Sequence, residues 1–143
     1  MISPLGRRCA LVALAVLALA CGDDGPTGAF RAAGVYALQT IDAQAPPVLT
    51  WQEGTSKDEV TAGRLLLNED RSYSVRLTTR STRGAAVTTA ENEHGFGAYT
   101  VTGAALALVP DGGGAHYAGS FSADGRTVTI PDYSDSFTLV FRR

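Results

Sequence analysis

From about residue 32 onward the apolar positions recur every second residue rather than every third or fourth. Leu65 and Leu67 alternate with Arg64, Leu66 and Asn68; after Glu69-Asp70-Arg71, the residues Tyr73, Val75 and Leu77 alternate with Ser72, Ser74, Arg76 and Thr78. A period of two means a pleated strand with one face turned inward, so this stretch predicts an antiparallel hairpin. Tyr99 and Val101 begin a second hairpin that turns at Gly103-Ala104 into Leu106 and Leu108. Phe121 leads through Ala123-Asp124-Gly125-Arg126 into Val128 and Ile130, and Phe137, Leu139 and Phe141 form a last strand. In the first strand, residues 35–41, Tyr36 and Leu38 share a face while Ile41 falls on the other by parity, which predicts a bulge or a bend. Trp51 ends a second strand after Pro46-Pro47. Residues 84–98 read as a strand to Ala90, a polar turn around Asn92 and Gly95, and re-entry at Phe96.

No window after residue 32 carries a helical period with caps. Eight to ten short strands joined by short turns specify an all-β chain. Closure removes exposed sheet edges, and about eight strands enclose a space that side chains fill or that admits one small ligand. The expected architecture is a small antiparallel up-and-down β-barrel of about eight strands, with a two-sheet β-sandwich as the alternative.

The start of the chain follows another rule. Arg7 and Arg8 precede an uninterrupted apolar run, Ala10 to Ala20, of eleven residues. A bilayer span needs about 20 residues, whereas this length suits the apolar region of a signal peptide. Ala18-Leu19-Ala20-Cys21-Gly22 then resembles the lipobox of bacterial lipoproteins, although Ala18 stands where that pattern usually has Leu. The resemblance implies cleavage before Cys21, lipid attachment to its thiol, and a membrane-anchored protein of the cell envelope. Gly22 rather than Asp after the cysteine implies the outer membrane, facing the periplasm or the exterior. Simple secretion, with Cys21 left as a free thiol, and an uncleaved anchor are the alternatives.

This divides the chain into a signal peptide (residues 1–20), a lipidated cysteine with a flexible tether (21–32) and a barrel domain (33–143). The tether carries Gly22-Asp-Asp-Gly-Pro-Thr-Gly28, which has nothing to bury. Cys9 departs with the signal, so the body contains no internal disulfide.

Composition then excludes some functions. The whole chain has 12 basic and 14 acidic side chains, 45% hydrophobic residues and 18% charged ones. A weakly acidic chain is not drawn to nucleic acid or anionic lipid by its field. No Gly-x-Ser-x-Gly elbow is present, and His94 and His116, the only two histidines, read as exposed loop residues. Glu91, Glu93 and His94 crowd one segment, but strand parity sends His94 away from the two carboxylates, which spoils a chelate. Asp111, Asp132 and Asp135 lack a calcium-loop spacing. No metal, no other cofactor and no enzymatic activity are expected.

Several segments together, Gly34-Val-Tyr36-Ala-Leu38, Gly63-Arg-Leu65-Leu-Leu67-Asn-Glu-Asp-Arg-Ser-Tyr73, Gly97-Ala-Tyr99-Thr-Val101, Gly119-Ser-Phe121 and Leu139-Val-Phe141, resemble the lipocalin-like β-barrel domains of small bacterial lipoproteins. Such domains commonly carry Gly in the turn where this chain has Arg71. The resemblance implies an up-and-down barrel, sometimes with a cavity for an apolar molecule. On parity, Tyr36, Leu38, Leu65, Leu67, Tyr73, Val75, Tyr99, Val101, Phe121 and Phe137 point inward, as a packed core or as the lining of a small cavity. The leading expectation is therefore an envelope lipoprotein that binds a small apolar or amphipathic ligand. The alternative is a non-catalytic structural or interaction module that displays Arg64, Arg76, Arg80 and Arg83 to an envelope protein.

Overall fold

The computed structural model describes residues 31–134 and 137–143. The expected signal peptide, Cys21, most of the tether, and Asp135 lie outside the described residues.

Nine strands follow one another: β1 (Gly34–Ile41), β2 (Val48–Glu53), β3 (Ser56–Leu67), β4 (Ser72–Arg83), β5 (Ala86–Thr102), β6 (Ala105–Pro110), β7 (Tyr117–Phe121), β8 (Thr127–Tyr133) and β9 (Phe137–Arg142). Every pairing is antiparallel, and β1 pairs with both β9 and β3, so eight strands close into a barrel with β2 as one extra strand. The all-β barrel expected from the period of two is what forms.

Alternation explains the inside. Tyr36, Leu65, Leu67, Tyr73, Val75, Leu108, Val128, Ile130, Leu139 and Phe141 are essentially inaccessible to water. Burying side chains of this size stabilises the fold by roughly 1.5–3 kcal/mol each against leaving them exposed. Ile41 joins this core despite its parity because the β1–β9 register slips by one residue between Leu38 and Thr40. The extra residue is Gln39, the bulge that the broken alternation demanded.

One expectation is overturned. Residues 84–98 contain no turn around Asn92 and Gly95; β5 runs continuously for 17 residues. The polar run is a strand because it pairs with β4 from Ala86 to Glu93. Its alternation is lost because both faces are exposed there.

The strands differ in length, and this shapes the molecule. β3, β4 and β5 continue beyond the barrel at the end where β1 finishes and β9 starts, and β2 pairs with the overhanging part of β3 from Ser56 to Val60. A four-stranded extension thus rises on one side of the rim, while β6 and β7 are only six and five residues long on the other. The opposite end is packed shut. There the Tyr36 and Phe121 rings lie 6.2 Å apart, and the Tyr99 hydroxyl donates to the Asn68 carbonyl at 2.7 Å.

Candidate functional site

Single-residue slips interrupt the ladders where the extension leaves the barrel. Thr50 is the extra residue of β2, Thr61 of β3 and His94 of β5, each left without a Cα partner between two paired residues. A bulge bends its strand and raises the local twist, and bulges gather at barrel rims for that reason. Together these slips let the tall wall lean away and hold the mouth open.

Inside the mouth is a half-enclosed pocket of about 170 Å³. Its apolar lining comes from Ile41, Val60, Leu77, Phe137 and Leu139, and its polar groups from Thr50, Thr79, His94, Tyr133 and Ser134. A single water occupies about 10–15 Å³ on this measure, and an engineered dry cavity of about 150 Å³ holds benzene. The mouth thus accommodates one aromatic ring or the end of a short alkyl chain.

Tyr133 lines this pocket, and Tyr73 lies in the adjoining core. The Tyr73 and Tyr133 hydroxyl oxygens are sealed from solvent and make no hydrogen bond. Both approach Gly95, where an added Cβ would lie 2.5 Å from the Tyr133 hydroxyl and 3.8 Å from that of Tyr73. Glycine at position 95 is therefore required by close approach. The Tyr117 ring stacks obliquely on Tyr133 at 4.5 Å. Burial pushes the Tyr73 pKa up to about 12 and raises that of Tyr133 further. An unpaired buried polar group costs roughly 1–3 kcal/mol, a cost that a hydrogen-bonding partner at this place would offset.

The residues expected to face a ligand divide among three environments. Phe137 lines the mouth pocket. Tyr99 and Val101 border an open depression at the packed end, beside Arg31, Glu69 and Arg71. Tyr36, Leu38, Leu65, Leu67, Tyr73, Val75 and Phe121 are buried core. Tyr36 is satisfied within the chain, donating to the Ala32 carbonyl and accepting from Arg143.

Parity reasoning missed Val60, Thr50, Tyr133 and His94. His94 is not a loop residue but the bulge of β5, and it lines the pocket. Two glycines, Gly95 and Gly97, in a strand were the available signal, since glycine within a strand marks a bulge or a close approach.

The arginine row is present but neutralised. Arg64 pairs with Glu91 at 2.9 Å, Arg76 with Glu93 at 3.5 Å, Arg80 with Glu59 at 2.8 Å and Arg83 with Asp58 at 2.9 Å. Hydrogen bonds from Lys57, then from Arg80, hold the Glu59 carboxyl below its usual range, and Arg83 followed by Ser81 does the same for Asp58. Glu91 and Glu93 are thus engaged by arginines on the outer face, while His94 turns to the pocket. Among the described residues, no group of three or more metal-ligating side chains comes together.

In comparisons with known proteins, the chain matches no family model, no curated protein and no solved structure.

Proposed function

We propose that this protein is a lipid-anchored lipoprotein of the cell envelope, outside the cytoplasm, whose lipocalin-like barrel takes the apolar end of a small amphipathic molecule into its mouth. The observation that carries this reading is the half-enclosed pocket of about 170 Å³ with apolar walls, lined by Tyr133, whose hydroxyl has no partner. Apolar walls supply affinity, and a few placed polar groups supply orientation, which is the usual division of labour in a small-molecule site. Cys21 supplies the attachment, because a doubly acylated residue holds a domain at a membrane durably. No catalytic role is assigned to His94, because among the described residues no carboxylate is paired with it as an orienting partner.

Two simple probes, indole and hexanol, test the ligand reading by NMR titration of the full chain in detergent. The expected result is saturable shifts of the Leu77, Leu139 and Phe137 signals, with none at Tyr36 or Phe121. Filling the pocket by Thr79→Phe abolishes them, and Tyr133→Phe weakens indole binding several-fold while the fold persists. Shifts absent for both probes, or retained in Thr79→Phe, would refute the reading. Mass measurement of the native amino terminus tests the anchor separately: the expected result is an acylated Cys21 as the first residue, and an unmodified Cys21 would remove the lipid from the account.

A second reading, a non-catalytic interaction module, is favoured by one feature, the extension, in which β5 pairs with β4 from Ala86 but with β6 only from Gly97 and so leaves an edge unpaired.

A further inference from the structure

The first half of β5, residues 86–94, is an unpaired sheet edge. On one side it pairs with β4 from Ala86 to Glu93, whereas β6 meets β5 only from Gly97 onward. Among the described residues, no hydrogen bond reaches the other side of residues 86–94, and each of them is exposed.

Such an edge presents a row of N–H and C=O groups to any strand that arrives, and soluble proteins guard these rows with lysine, proline, bulges or short length. Ala86-Val-Thr-Thr-Ala90 has none of these guards. It is uncharged, lacks proline, and three of its five residues are β-branched strand formers. The bulge at His94 lies beyond it. The other edge of the extension is guarded: β2 has six residues, starts just after Pro46-Pro47, is bulged at Thr50 and ends on Glu53.

We propose that two copies of this protein associate about a two-fold axis by antiparallel pairing of their β5 edges across residues 86–90, which joins two four-stranded extensions into one continuous sheet. A second copy fits because the stretch is complementary to itself. Centred on Thr88, Ala86 faces Ala90, Val87 faces Thr89 and Thr88 faces its own mate, so no like charges meet, and β-branched pairs pack across the seam. Glu91, the nearest charge, falls outside the stretch and is already held by Arg64. Because the β2 edge is guarded, the two-fold contact closes at a dimer instead of growing into a fibre. Five paired residues a side bury well under the roughly 1,200 Å² of a standard interface, so the dimer is weak and concentration-dependent.

Sedimentation of the full chain in density-matched detergent reads this directly. The expected protein mass rises toward twice the monomer value between about 10 µM and about 1 mM. Val87→Lys with Thr89→Lys places lysines opposite one another and holds the mass at the monomer value with an unchanged circular dichroism spectrum. Cysteine cross-linking under mild oxidation is independent of how that variant folds: Thr88→Cys gives a dimer band in a background with both Cys9→Ser and Cys21→Ser, and Gln52→Cys on β2 gives none. A monomer at every concentration without a Thr88→Cys band overturns the proposal. Assemblies that grow beyond two, or cross-linking through Gln52→Cys, overturn it as well.

Discussion

Arg71 sits in the β3–β4 turn with φ of 71°, a left-handed conformation that costs an ordinary residue about 1–2 kcal/mol. The turn forms regardless, because the Arg71 amide donates to the Asn68 carbonyl at 3.1 Å and Asp70 accepts from the Ser72 amide at 2.9 Å. Local bonds and the hairpin on either side override the preference of one residue. Glycine relieves the strain but gives back part of the gain through a freer unfolded chain, about 0.4–1 kcal/mol. The stacking of Arg71 on Tyr99, at 5.9 Å, is also lost. Arg71→Gly is therefore expected to raise stability by about 0.5 kcal/mol in urea denaturation; a loss would mean that the stacking outweighs the strain. The sequence carries this site openly, as a hairpin turn lacking its usual glycine. Tyr133 is different: its burial depends on Gly95, 38 positions earlier and on another strand, and no local pattern links the two.

The core-bearing strands were legible because one face is buried and the other is not, as in the Leu65–Leu77 hairpin, where every inward residue predicted by parity is buried. The extension was not legible, since neither of its faces is fully buried and binary patterning has nothing to record. Lys57-Asp58-Glu59 carries no apolar alternation, yet it is strand, and Arg80 and Arg83 across the ladder pair with its carboxylates. Glu59 is buried while its Arg80 and Lys57 partners stay half-exposed, so its pairing is screened by salt less than a surface pair is and holds the extension more firmly than one. Glu59→Ala is accordingly expected to loosen the extension without melting the barrel. Amide hydrogen exchange should quicken at residues 57–60 and 79–82 and stay unchanged at Leu65 and Val75. Equal acceleration at both places would mean that the extension and the barrel open as one unit.

Closure of the barrel is a property of the whole chain: it requires β1 to pair with β3 and with β9, which no local segment announces. Period and strand count were enough to favour it over a sandwich, but they could not show that one end is solid and the other open. The buried tyrosines set the alkaline limit. Burial raises the pKa of Tyr36, Tyr73, Tyr99 and Tyr133 in the folded state, so above a pH of about 10 the unfolded chain gives up protons that the folded chain keeps. Their contribution is fully present below about pH 10 and is lost as the pH rises from there toward the folded values, at no more than about 1.4 kcal/mol per pH unit for each tyrosine. Urea midpoints measured from pH 8 to pH 11 should fall only above about 10, in step with tyrosinate absorbance; a flat profile would mean that the rings ionise without unfolding. Finally, the Arg143 guanidinium lies within hydrogen-bond distance of the Arg31, Ala32 and Ala33 carbonyls and 4.7 Å from the Tyr36 ring. In mechanical terms this is a strain relief. A tug along the β1 axis from the amino-terminal side meets that clasp first and then loads the β1–β3 and β1–β9 ladders side by side in shear. Their bonds must fail together instead of unzipping in turn.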